Sequence, residues 1–226
     1  MARPKITLYV DTVSPFAYEA YHVLRHNSVF QGCDVTYIPI FLGGLMHKCG
    51  NTAPIKIKNK DKWINIERLR WARAFSVPMT ESLPPDFPAP TLPIMRALAV
   101  VAANPDRSRL TRALDTFFTR HWGPEAAATH KPEVLRETLE GLFGTDEAAR
   151  IIAESQTTGK QALIANTDKA FEDGAFGLPW MVCTNAQGGT EGFWGVDHLA
   201  QVAQFLGLDL TKARGDGENP GWKSLL

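Results

Sequence analysis

Two short segments of this chain carry residue types, at positions, that could do chemistry: Ser14-Pro15 and Leu178-Pro179. Ser14 follows a strand-like run, Ile6-Thr7-Leu8-Tyr9-Val10, and a turn, and it opens an apolar helical pattern. At a strand-to-helix junction of this kind the first backbone N–H groups and the helix dipole favour a negative charge. A serine hydroxyl there can donate a further hydrogen bond to an anion. The same pair also fits a purely structural role, because serine caps orphan backbone donors and proline suits the first helical turn, where its missing N–H is not needed. Leu178-Pro179 precedes another strand-like run. A proline at such a place marks a turn and in a minority of cases a cis bond. The residue before it could then offer its N–H and C=O to an extended ligand; an ordinary trans proline opening a strand is the plainer alternative.

The elements that must position these segments follow from periodicity. Ile6–Val10, rich in β-branched and aromatic residues, is expected to be a buried strand. A helix follows, with Phe16, Ala17, Ala20, Tyr21, Val23 and Leu24 as its apolar residues, and then a second strand from Val35 to Ile40. A strand–helix–strand opening makes a parallel pair. Residues 41–63, with Gly43-Gly44, Gly50-Asn51 and Pro54, are expected to be a loop, and a helix resumes near Trp63 and runs to about Phe75. Pro78, Pro84, Pro85, Pro88, Pro90 and Pro93 exclude a regular helix over their stretch. Beyond it, Leu110, Leu114, Phe117 and Phe118 form one apolar stripe, Leu135, Leu139, Leu142 and Phe143 another, and a further helix spans roughly Gly159 to Phe171. Phe117, Phe118, Trp122 and Phe143 are core candidates. Strands at 180–184 and 191–194 enclose a hairpin turn, Asn185 to Gly189, and a helix starting at Asp197 stops at Gly207.

The order is therefore β–α–β, a helical block, then β–β–α. If the two ends share one sheet, the chain is an α/β protein: a thioredoxin-like domain with an inserted all-helical domain. The expected boundaries are 1–62 for the first part of the thioredoxin-like domain, 63–173 for the helical insertion, and 174–226 for the second part and tail. In a redox protein of that plan the first cysteine of a CxxC pair would stand at position 14. Ser14-Pro15-Phe16-Ala17 lacks both sulfurs, so dithiol–disulfide exchange cannot run from this place. The same field could still stabilise a thiolate that a substrate brings.

Composition narrows the partners. The 226 residues hold 24 Lys plus Arg and 24 Asp plus Glu, so the formal net charge is zero, with no overall electrostatic footprint for nucleic acid or an anionic membrane. Lys56, Lys58, Lys60 and Lys62 form a local basic run, either a solvated loop or a guide for an anionic ligand. The longest small-apolar run, Ala97 to Ala103, is far short of a membrane span. Ile6 begins a strand too early to leave room for a cleaved signal peptide. Cys33, Cys49 and Cys183 form no CxxC pair, which fits a reducing, intracellular compartment and a soluble protein. His47 and Cys49 are two potential ligands and do not make a zinc site, so no metal is expected. Cys49 is either an inert thiol or one placed to sense oxidation. Arg214-Gly215-Asp216 is expected to be a flexible turn, and Ser224-Leu225-Leu226 matches a peroxisomal address poorly.

Taken together, Ser14-Pro15-Phe16, Gly50-Asn51, Ala175-Phe176-Gly177-Leu178-Pro179 and Phe193-Trp194-Gly195-Val196-Asp197, in this order and at these separations, resemble the kappa-class glutathione transferases and the bacterial 2-hydroxychromene-2-carboxylate isomerases. The resemblance runs from about residue 5 to 208. It implies a DsbA-like fold, a homodimer, and glutathione as the only cofactor or cosubstrate, with a small electrophile or hydroperoxide as the second substrate. It implies that Ser14 donates to the glutathione sulfur, with Pro15 and Phe16 bordering it. Asn51 and Lys60 would hold the glycine carboxylate, and Leu178 would pair with the cysteinyl backbone beside a cis Pro179. Val196 and Asp197 would meet the γ-glutamyl end. Phe16 stands where the kappa enzymes usually have Tyr, and Val196 where Ser is usual, so one phenol and one hydroxyl are missing. Trp180 and Trp194 flank the site in sequence and either wall a pocket for an apolar second substrate or pack the sheet. The implied activity is transferase, with peroxidase or isomerase as alternatives and a non-catalytic ligand-binding protein as a third. Kappa relatives occur in mitochondria and peroxisomes, which leaves the compartment open.

Overall fold

The structure is a computed structural model and describes residues 2–211. Arg214-Gly215-Asp216 and Ser224-Leu225-Leu226 lie outside the described residues. Strand β1 (Lys5–Val10) is followed by α1 (Pro15–His26) and β2 (Asp34–Pro39), and β1 and β2 pair in parallel. Strands β3 (Trp180–Thr184) and β4 (Thr190–Trp194) complete a four-stranded sheet in the order β2-β1-β3-β4, both added antiparallel. The two ends of the chain thus do share one sheet. Between β2 and β3 the chain forms α2 (Leu42–Lys48), α3 (Lys60–Ala74), α4 (Leu92–Ala102), α5 (Arg107–Trp122), α6 (Pro132–Phe143), α7 (Thr145–Ser155) and α8 (Thr158–Glu172). A short 3-10 turn at Val196–His198 leads into α9 (Leu199–Phe205).

Central strand β1 explains the strand composition: Ile6, Leu8, Tyr9 and Val10 are all buried, as a strand with neighbours on both sides and helices on its faces must be. Helix α1 buries Ala17, Tyr18, Ala20, Tyr21, Val23 and Leu24. Its aromatic residues lock it to α5: Tyr18 stacks on Phe118 with ring centroids 5.2 Å apart, and the Tyr21 hydroxyl donates to Asp115 at 2.6 Å. Helices α4 and α8 rest on β2, and α4 also packs on α5, α7 and α8. Phe117, Phe118 and Trp122 are fully buried as expected, whereas Phe143 is only partly buried, with the Arg109 guanidinium 4.6 Å over its ring.

Three sequence expectations change. Residues 41–63 are not one loop. They contain α2, a 3-10 turn at Pro54–Lys56 and the start of α3 at Lys60. Gly43 and Gly44 suit α2 because the Phe41 ring lies against them; a Cβ on Gly43 would come within 2.9 Å of that ring. Pro93 does not block a helix, because it sits in the first turn of α4, where no N–H is required. Asp197 lies in the 3-10 turn, and the regular helix starts two residues later.

Candidate active site

Ser14 is the N-cap of α1, as its sequence position suggested. Its Oγ accepts from the Ala17 N–H at 3.1 Å, and Pro15 occupies the first helical turn. A capping oxygen still has its own hydrogen to give. Among the described residues neither that hydroxyl hydrogen nor the Phe16 N–H has a protein acceptor. The first turn of α1 contains no acidic residue, so no carboxylate of α1 competes for the positive end of its dipole. Ser14 is 5% exposed and Phe16 half-buried.

The loop before Ser14 is held by distant residues. Asp11 is inaccessible, and its carboxylate accepts from the N–H groups of Val13 at 3.1 Å and Leu42 at 2.8 Å, so it also caps α2. Burial pushes its pKa up to about 6, against the pull of those N–H donors and the Thr91 hydroxyl. The Trp122 indole N–H donates to the Thr12 carbonyl at 2.8 Å, and the Thr12 hydroxyl lies 3.7 Å from the Met95 sulfur. Thr91, Met95 and Trp122 all come from the helical block, so the insertion shapes the corner that presents Ser14.

Leu178-Pro179 is a cis peptide immediately before β3. Leu178 has neither its N–H nor its C=O paired among the described residues, while the Pro179 carbonyl accepts from the Gly195 N–H at 3.0 Å. That bond ties the 195–197 turn to the start of β3, and the same turn packs on α1. Tyr9 pairs with Trp180 in the sheet register, so Pro179 and the β1–α1 corner lie at one end of the sheet.

The structure gives the remaining positions less uniform places. Asn51 is a strut: its Nδ2 donates to the Phe176 carbonyl at 2.7 Å and its Oδ1 accepts from the Thr52 N–H at 2.8 Å, leaving one amide hydrogen. The Cys49 thiol lies 3.7 Å from the same carbonyl. Val196 is buried, so only its backbone can face a ligand. Asp197 is exposed, and its carboxylate lies 3.4 Å from Nδ1 of His198, a neighbour that sequence reasoning passed over. Gly195, at φ +94°, makes room for it, since a Cβ there would sit 2.2 Å from Asp197 Oδ1. Lys60 is exposed at the start of α3, and no contact among the described residues ties it to the other positions.

Beside Leu178 stands an aromatic group. Phe176 lies 5.7 Å from Trp180 and 5.0 Å from Trp194, centroid to centroid. Phe176 and Trp194 are about half exposed, whereas Trp180 is buried with its indole N–H unpartnered. Glycine at 192 permits this packing, because a Cβ would meet the Trp180 ring at 2.6 Å.

Residues 5–207 match the family model described as a DSBA-like thioredoxin domain. The chain belongs to that family. DSBA-like membership accords with the sheet that the helical block interrupts. Among curated proteins the chain is 26% identical over 210 residues to glutathione S-transferase kappa 1 of Caenorhabditis elegans, covering 90% of this chain and 91% of that one. It is also 26% identical over 204 residues to a 2-hydroxychromene-2-carboxylate isomerase of Sphingobium xenophagum, covering 89% and 97%. A solved 2-hydroxychromene-2-carboxylate isomerase superposes with a TM-score of 0.75 at 21% identity, covering 90% of this chain and 94% of that one. Among the described residues no three His, Cys, Asp or Glu side chains gather as a metal ion would require, and no helix is long and apolar enough to cross a membrane.

Proposed function

We propose that this DSBA-like protein is a glutathione-dependent enzyme of the kappa-class transferase type, with Ser14 as its catalytic residue. The observation that carries this reading is the pairing of a free serine hydroxyl hydrogen at the N-terminus of α1 with an unpaired Leu178 N–H and C=O at the same end of the sheet. A tripeptide thiol lying extended along Leu178 would use both backbone groups, as an added strand does. Its sulfur would then meet the Ser14 hydroxyl and the Phe16 N–H.

A free thiol has a pKa of ~8.5, so little is thiolate at neutral pH. Lowering it by ~2 units takes ~2.7 kcal/mol of preference for the anion. One hydroxyl bond, one backbone N–H and the helix end are together of that order. Asp197 would take the γ-glutamyl ammonium, and the remaining Asn51 hydrogen and Lys60 the glycine carboxylate. The Leu178 backbone would hold the cysteinyl unit, cis Pro179 its flank, Pro15 and Phe16 the sulfur side, and the Val196 backbone the γ-glutamyl end. The exposed edges of Phe176 and Trp194, backed by buried Trp180, suit an apolar second substrate.

The thiolate would displace a leaving group from an electrophilic carbon. Alternatively, two thiols would become a disulfide as a hydroperoxide is reduced to its alcohol and water, which between them take up the two thiol hydrogens. The second reading is an isomerase, in which the thiolate adds to an unsaturated acid and leaves unchanged; a curated isomerase as similar to this chain, at 26% identity, as the Caenorhabditis elegans transferase favours it. A product screen separates them: a conjugate or oxidised glutathione supports the transferase, and a rearranged acid with glutathione conserved supports the isomerase. Binding without turnover of any of these would leave a carrier. The same reading expects a homodimer, which light scattering tests.

A further inference from the structure

The basic run at Lys56–Lys62 belongs to a larger surface of which the glutathione reading uses Lys60 alone. On α3, Trp63, Ile66, Arg70 and Arg73 follow at spacings of three, four and three, so they form one stripe along the helix. Trp63 is 50% exposed and Ile66 48%, and Ile57, in the turn packed against α3, is 40% exposed. Two large apolar side chains half exposed on one helix face, with a third in the adjoining turn, form the kind of apolar patch that indicates a partner. Around them stand Lys56, Lys58, Lys60, Lys62, Arg70 and Arg73, all exposed, against Asp61 and Glu67. Glu67 is already paired with Arg70 at 3.0 Å, and the four lysines make no ion pair among the described residues. In a chain of zero formal net charge this is a strongly one-sided patch.

We propose that this face of α3 and the preceding turn docks on an anionic membrane surface. The charge points to an anionic partner. A second copy of the same face would set its basic groups against each other. The apolar residues distinguish a membrane from nucleic acid: isoleucines have no role on a phosphate backbone, whereas Trp and Ile can enter the boundary between headgroups and acyl chains while lysines stay among the headgroups.

The test is co-sedimentation of the full chain with phosphatidylcholine vesicles, with and without about 30% phosphatidylserine. The expected result is binding to the serine-lipid vesicles only, weakening steeply as salt is raised from about 0.05 to about 0.5 M. Charge reversal at Lys56, Lys58 and Lys62 should lower partitioning by at least about 100-fold. Trp63→Ser with Ile66→Ser should lower it by about tenfold or more while the lysines remain. Lys60 is left alone because the proposed glutathione site uses it. Equal binding to neutral vesicles, no binding at low salt, binding to an oligonucleotide instead, or a concentration-dependent dimer broken by Trp63→Ser would each overturn the proposal.

Discussion

The corner that presents Ser14 and the face of α3 that presents Trp63 are built on opposite principles. At the corner, Asp11, Thr12 and Ser14 are all buried polar residues, and each is held by a partner far away in sequence or by the helix it caps, with only the Ser14 hydroxyl hydrogen left over. On the α3 face, Trp63 and Ile66 are about half exposed, and the exposed lysines make no ion pair among the described residues. A buried polar corner fixes geometry, because moving any member leaves another donor or acceptor unpaired in a medium where that is expensive. An exposed mixed face fixes nothing within the molecule and is free to be changed. Substitutions should therefore alter folding and the candidate site at the corner, and association alone at the face.

The largest effect is expected from Trp122→Ala, which empties a fully buried site and leaves the Thr12 carbonyl unpaired. Loss of about 3–5 kcal/mol of unfolding free energy is expected in urea melts, with any glutathione binding weakened as well. If the variant binds glutathione as tightly as the wild type, the helical block does not hold the corner.

Next comes Asp11. Its folded pKa of about 6 lies above its unfolded value of 3.8, so the folded state holds the proton more tightly. Its contribution to stability is complete below about pH 4 and is lost as pH rises through about 6. Asp11→Asn should remove that slope, so the difference in stability between about pH 4 and about pH 6.5 shrinks by up to about 3 kcal/mol. An unchanged slope would place the titration elsewhere. Glu19 on α1 should act with the same sign: it is fully buried, neither carboxylate oxygen has a hydrogen-bond partner, and burial raises its pKa against the pull of Arg68.

A smaller stability effect follows for Ser14→Ala, about 1 kcal/mol from the lost cap, read as a lowered melting midpoint. The smallest belongs to the α3 face, where Lys56→Glu or Lys58→Glu should move stability by no more than about 0.5 kcal/mol. A larger loss would show that this face is packed rather than free.

The same contrast explains how much the sequence discloses. Strands β1 and β3, helix α1 and the Ser14 cap are written locally, in β-branched runs, a 3.6-residue period and a Ser-Pro start, and they lie where those signals place them. Helix α2 is not written locally. Gly43-Gly44 reads as a loop, and the helix forms there because Asp11, 31 residues upstream, caps Leu42, and the Phe41 ring covers the glycines. The candidate site divides in the same way. Ser14 and Leu178-Pro179 stand out as dipeptides, but Thr91 and Trp122 join the corner only through the fold. Asn51 shows a further limit, since nothing in Gly50-Asn51 indicates that its amide is largely spent on Phe176 and Thr52.

The most direct test of the central claim is an ultraviolet difference titration with glutathione at about pH 6.5, wild type beside Ser14→Ala. The account predicts a thiolate band in the wild type that is lost in the variant while glutathione still binds. Binding with no thiolate band in either protein, or an equal band in both, would contradict it.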